Sequence, residues 1–132
     1  MDDGLEAMAS VAIDCAMGVH IDLGPSLLET VYEMVLAKRI ADRGLKVDRQ
    51  MPIRIHADGL EFAEGFRADL IVERRLLIEI KSAERLAPVH TRQVLTYLRM
   101  MNLPLGLLMN FGGITFKEGL KRVANNYGQV PK

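Results

Sequence analysis

The chain has 132 residues, 49% of them hydrophobic, with 17 Lys/Arg against 17 Asp/Glu. That length suits one domain, spanning 1–132, whose core needs neither disulfide nor structural metal. The single cysteine, Cys15, excludes an intramolecular disulfide and a Cys-cluster zinc site. Zero net charge argues against a protein that coats duplex nucleic acid non-specifically. Residues 1–64 nevertheless carry 6 Lys/Arg and 12 Asp/Glu, whereas residues 65–132 carry 11 and 5. This leaves room for a local basic face, or simply for two solvated surfaces of opposite sign.

Met1-Asp2-Asp3 lacks the basic start of a signal peptide, and no apolar run reaches the roughly 18 residues of a membrane span, so the expected location is the cytoplasm with no membrane partner. From Leu5 to about His20, apolar residues recur at helical spacing, and Asp22-Leu23-Gly24-Pro25 ends the helix. A second helix is expected from Ser26, with Ser26-Leu27-Leu28-Glu29 as a capping box and Gly44 past its end. The period then changes. Val47–His56 reads as a strand that Pro52 places at a sheet edge, and Asp58-Gly59 is a hairpin signal. Strands are expected at Phe66–Glu73 and Leu76–Ser82, then a helix over Val89–Met101 opened by Pro88. Leu105–Phe111 reads as a central strand covered on both sides, and Phe116–Ala124 as a last helix. The fold class is α/β, with a mixed central sheet flanked by helices.

Leu76-Leu77-Ile78-Glu79-Ile80-Lys81 has the apolar content of an interior strand, yet Glu79 and Lys81 project from one face of it. Asp69 interrupts the preceding strand, Ala68-Asp69-Leu70-Ile71-Val72, in the same way. Buried carboxylates cost several kcal/mol unless paired or bound to a metal. A two-residue loop at Arg74-Arg75 would set Asp69 opposite Ile80, so a shared face with Glu79 requires an odd loop such as Glu73–Arg75, or a bulge. Asp69 and Glu79 suit a hard cation such as Mg²⁺, and Lys81 suits orienting water or stabilising phosphoryl charge. A plain Asp–Lys or Glu–Lys ion pair is the structural alternative.

The string Asp69…Glu79-Ile80-Lys81, preceded by a helix bearing Glu29 and followed by another helix, resembles the PD-(D/E)XK nuclease superfamily. More narrowly the chain resembles the GxxExxY family within it. The match runs through Val19-His20, Leu23-Gly24-Pro25, Leu28-Glu29, Val31-Tyr32, Ala68-Asp69-Leu70 and Glu79-Ile80-Lys81. Gln93-Val94-Leu95-Thr96-Tyr97, Gly106-Leu107-Leu108 and Asn110-Phe111 extend it. The chain departs at Ser26, where the family name has its first Gly, and at Ala68, where proline is usual before the first aspartate.

The resemblance implies a restriction-endonuclease-like αβββαβ core with extra N-terminal and C-terminal helices. It implies a metal-dependent nuclease using Mg²⁺ or Mn²⁺ and acting on DNA or RNA. Asp69, Glu79 and the Ile80 carbonyl would bind metal, Glu29 would approach it from the helix, and Lys81 would be the catalytic lysine. Gln93 and Tyr97, one helical turn apart, are similar to the QxxxY motif that positions a substrate strand. Each has a plainer role beside this. Glu29 closes a capping box, Tyr32 fills the core, Gln93 and Tyr97 form a helix-surface pair, His20 and His90 are structural, and Asn110 satisfies backbone at a strand end. The competing function is a catalytically inactive module of the same fold that binds nucleic acid or a protein. Neutral charge and a small footprint suggest that gripping a substrate needs a homodimer or a partner.

Overall fold

The structure is a computed structural model and describes residues 2–128. Helix α1 (Asp3–Leu23) and helix α2 (Glu29–Asp42) precede strands β1 (Val47–Ala57), β2 (Leu60–Val72) and β3 (Leu76–Lys81). Helix α3 (Pro88–Met101), strand β4 (Leu105–Asn110), the one-turn helix α4 (Phe116–Gly119) and strand β5 (Leu120–Ala124) follow. The strands form one sheet in the order β1-β2-β3-β4-β5. β3 and β4 run parallel, with α3 as the crossover, and the other pairs are antiparallel. The expected mixed sheet is therefore present, with β1 at its edge.

Two cores cover the sheet. On one face Leu70, Val72, Leu76, Ile78 and Ile80 pack under α1 and α2. On the other, Ile71, Leu77 and Leu108 pack under Val94 and Leu98 of α3. This alternation is the period-2 pleat of β2 and β3. Helix α1 buries Leu5, Met8, Ala9, Ala12, Cys15, Ala16 and Val19, of which Ala9, Ala12, Cys15 and Ala16 are small enough to let it lie close to its neighbours. At 21 residues and a mean hydropathy of 1.3 it is long and apolar enough to cross a bilayer by length and composition alone. Here that apolar stripe faces the sheet core.

Two expectations fail. Helix α2 begins at Glu29, not Ser26, with Leu28 as N-cap and no side-chain cap bond, so the capping box does not form. Ser26 instead has φ 80°, in the left-handed region, which puts it in a tight turn with Gly24 at φ 71°. The C-terminal helix over Phe116–Ala124 is also corrected. Only one turn is helical, and Leu120–Ala124 is a strand pairing with β4, Leu105 opposite Ala124. Without it β4 would expose a bare edge. The strand expected from Phe66 starts earlier, at Leu60, because Asp58 and Gly59 close a two-residue turn with positive φ at both positions.

Candidate active site

The loop between β2 and β3 has three residues, Glu73-Arg74-Arg75, with φ 52° at Glu73 and 57° at Arg74. It sets Leu70 opposite Ile78, Ile71 opposite Leu77 and Val72 opposite Leu76, a register that places Asp69 across from Glu79. The odd loop that the sequence required is thus present. The regular ladder stops at Leu70 and Ile78, and the two carboxylates take over beyond it. Glu79 Oε2 accepts the Asp69 backbone N–H at 2.8 Å, and Asp69 Oδ2 accepts the Ile80 N–H at 2.8 Å.

Glu79 is 4% exposed. Burial, and next the charge of Asp69, push its carboxyl up to about 8, against the opposing pull of the Asp69 N–H and Lys81. Burial and the neighbouring charge thus favour the protonated carboxyl in the metal-free protein, and a bound cation would favour the carboxylate instead. Lys81 follows on the same face and, among the described residues, forms no ion pair with any carboxylate. The plain ion-pair alternative is absent there.

The donor set fits a hard divalent ion. Asp69 and Glu79 offer carboxylate oxygens. The Lys81 carbonyl accepts the Phe111 N–H on the β4 side. Carbonyls alternate along a strand, so that of Ile80 faces the gap where β2 and β3 part. Among the described residues no group of three or more His, Cys, Asp or Glu converges. Two carboxylates and a carbonyl, completed by water, match the way Mg²⁺ is usually held.

Helix α3 covers this face. Burial raises the Tyr97 hydroxyl, the charges of Glu79 and Asp69 add to the effect, and the Gln93 side chain opposes it. The Tyr97 ring stacks on Phe66, centroids 3.9 Å apart. Gln93 Oε1 is buried and accepts no hydrogen bond among the described residues, an orphaned acceptor close to Tyr97.

Glu29 is exposed and lines a cleft of about 400 Å³ together with Lys81, Ser82 and His90. A second α2 carboxylate, one turn further on, is linked to Asp69 through Gln50. Glu33, 4% exposed, accepts from Arg49 at 2.8 Å and from Gln50 Nε2 at 2.5 Å. Gln50, held at φ 51°, also reaches Asp69 Oδ1 at 3.3 Å. Reading the sequence by motif overlooks Glu33. The signal was its spacing, since Glu33, Leu36, Ala37 and Ile40 share one helical face and all are buried.

Three other residues take the plainer roles. Tyr32 is buried, donates to the Gly24 carbonyl, accepts from the Leu27 N–H and stacks on Phe111. His20 Nε2 lies 2.9 Å from the Gly113 carbonyl. Asn110 holds both the N–H and the C=O of Ala83 and accepts from Gly112, which ties the ends of β3 and β4 together.

The family model described as the PD-(D/E)XK nuclease superfamily matches residues 6–123. The chain belongs to that superfamily. Its members generally use divalent metal ions, in keeping with the oxygen donors around Asp69 and Glu79. No curated protein and no solved structure matches the chain. As a PD-(D/E)XK domain it presents Asp69, preceded by Ala68, on β2 and Glu79-Ile80-Lys81 on β3.

Proposed function

We propose that this domain is a Mg²⁺- or Mn²⁺-dependent phosphodiesterase that cleaves DNA or RNA, and that it is a GxxExxY-type member of the superfamily. One observation carries the reading: the buried Glu79 faces the half-buried Asp69 where the sheet ladder ends, and Lys81 beside them has no ion pair among the described residues. A fold built only for stability would not place them so, because burying one carboxyl beside another disfavours its ionised form.

The cation, when bound, supplies Lewis acidity that polarises the phosphoryl group and makes water more acidic. Asp69, Glu79 and the Ile80 carbonyl would hold it. Lys81, free of any ion pair among the described residues, offers its ammonium to a phosphoryl oxygen or orients the attacking water. Gln93 and Tyr97 present an acceptor and a hydroxyl from α3 to the same face, suited to positioning the strand being cut. Glu29, in the cleft beside Lys81, would hold a water or a second ion. Glu33 and Gln50 fix Asp69 from the other side.

The test is cleavage of linear and circular DNA and RNA with and without Mg²⁺ or Mn²⁺. Asp69→Asn and Lys81→Ala should each abolish turnover while circular dichroism stays unchanged. Equal activity in both variants and the wild-type protein would end the proposal. Absence of both cleavage and metal binding at millimolar cation would favour the inactive module.

A further inference from the structure

The cleft beside Lys81 has two unlike walls. Leu27 and Leu28 form an apolar side, Leu28 being 77% exposed, while Lys81 from β3 and His90 from α3 form the polar side. Ser82 Oγ donates to the Leu27 carbonyl at 2.6 Å, tying the walls together and using up its own proton. Glu29 also lines the cleft, from the first turn of α2.

His90 has a fixed tautomer. Its Nδ1 accepts the backbone N–H of Ala87 at 3.0 Å, so Nδ1 carries no proton and Nε2 does. Among the described residues Nε2 has no hydrogen-bond partner. Across the ring from the backbone, Nε2–H is the donor that His90 can offer to the cleft. A donor of defined direction in a cleft shared with an ammonium that has no ion pair among the described residues makes a site for an anionic oxygen, and the leucines offer apolar cover for a sugar or base.

We infer that this cleft is a phosphate subsite for a nucleic-acid strand and that His90 Nε2 donates to the phosphate there. The inference rests on the phosphodiesterase reading and adds a substrate-binding residue to it. Glu29 repels the phosphate from the α2 wall and so places it on the side of His90 and Lys81.

Two variants separate capping from binding. His90→Asn retains an acceptor near the Nδ1 position and deletes Nε2, whereas His90→Gln keeps a donor near Nε2 and loses the cap. The readout is anisotropy of a labelled single-stranded oligonucleotide in chelator, so that binding is measured without turnover. His90→Asn should weaken binding about tenfold, the loss of one hydrogen bond to a charged group. His90→Gln should change it less than about threefold while lowering thermal stability. Wild-type affinity in His90→Asn, or equal weakening in both variants, overturns the inference. Inorganic phosphate bound in a His90-dependent way while the His90→Asn variant keeps wild-type oligonucleotide affinity would assign the site to free phosphate and also overturn it. Metal-dependent cleavage without His90 dependence leaves the phosphodiesterase reading standing, whereas absence of both binding and cleavage in the wild-type protein ends both.

Discussion

Asp69 and Glu79 face each other across β2 and β3, and each is gripped by the other's strand: the Asp69 N–H bonds Glu79 Oε2 and the Ile80 N–H bonds Asp69 Oδ2, both at 2.8 Å. The side chains that would bind a cation are thus also hydrogen-bond acceptors for buried backbone. Replacement by alanine removes both functions, while an amide removes only the charge. Asp69→Asn and Glu79→Gln should retain the fold and lose metal binding, read by calorimetric titration with Mn²⁺. Asp69→Ala should also cost about 1–3 kcal/mol, because the Ile80 N–H is left unpaired.

The raised carboxyl of Glu79 gives stability a definite pH dependence. Its folded value of about 8 lies above the unfolded value of 4.5. Below 4.5 both states are protonated and the contribution is fully present. Between 4.5 and about 8 the unfolded chain gives up the proton while the folded protein keeps it. Stability of the metal-free protein should therefore fall by on the order of a few kcal/mol over that window and level off above it. Glu79→Gln should flatten this slope in urea titrations run from pH 4 to about pH 9. A divalent cation should restore alkaline stability to the wild-type protein and not to the variant.

Glu29 and Glu33 predict opposite behaviour. Glu33→Ala strands Arg49 and Gln50 beside a buried position and should lower stability by about 1–3 kcal/mol. Exposed Glu29→Ala should change stability by less than about 0.5 kcal/mol. If Gln50 orients Asp69 as its 3.3 Å contact indicates, Gln50→Ala should reduce turnover with circular dichroism unchanged.

Ser26 occupies a left-handed turn where glycine has no Cβ penalty. Ser26→Gly should raise stability by about 0.5–1 kcal/mol, or a few degrees in thermal midpoint. Gly112 is the converse. A Cβ there would clash with the Ala83 backbone, so Gly112→Ala should destabilise by about 1–3 kcal/mol and loosen the β3–β4 end.

The carboxylate cluster was legible because charge in an apolar strand has few explanations, and side-chain parity alone then required an odd loop. The extra strand was not legible. Phe116, Leu120 and Val123 recur at helical spacing, yet β4 needed an edge partner, and Gly119 lies so close to β4 that a Cβ there would meet the Asn110 carbonyl. The capping box failed for a local reason, since the turn at Gly24 and Ser26 drives Ser26 out of the extended conformation an N-cap needs. Glu33 was hidden by its neighbour: motif reading stops at Tyr32, and only Arg49 and Gln50, folded over from β1, show why a carboxylate is buried there.

The β1–β2 pair is far longer than β3, and residues 60–65 of β2 are exposed throughout. Its outer part is a two-stranded ribbon, marginal without a third strand. Amide exchange should accordingly run fast from Ile55 to Phe62 and slow sharply at Leu70 and Ile78. Asp69 stands at that boundary, so the carboxylate grip on Glu79's strand works as a clasp: it stops local fraying of the ribbon before it can travel into the sheet.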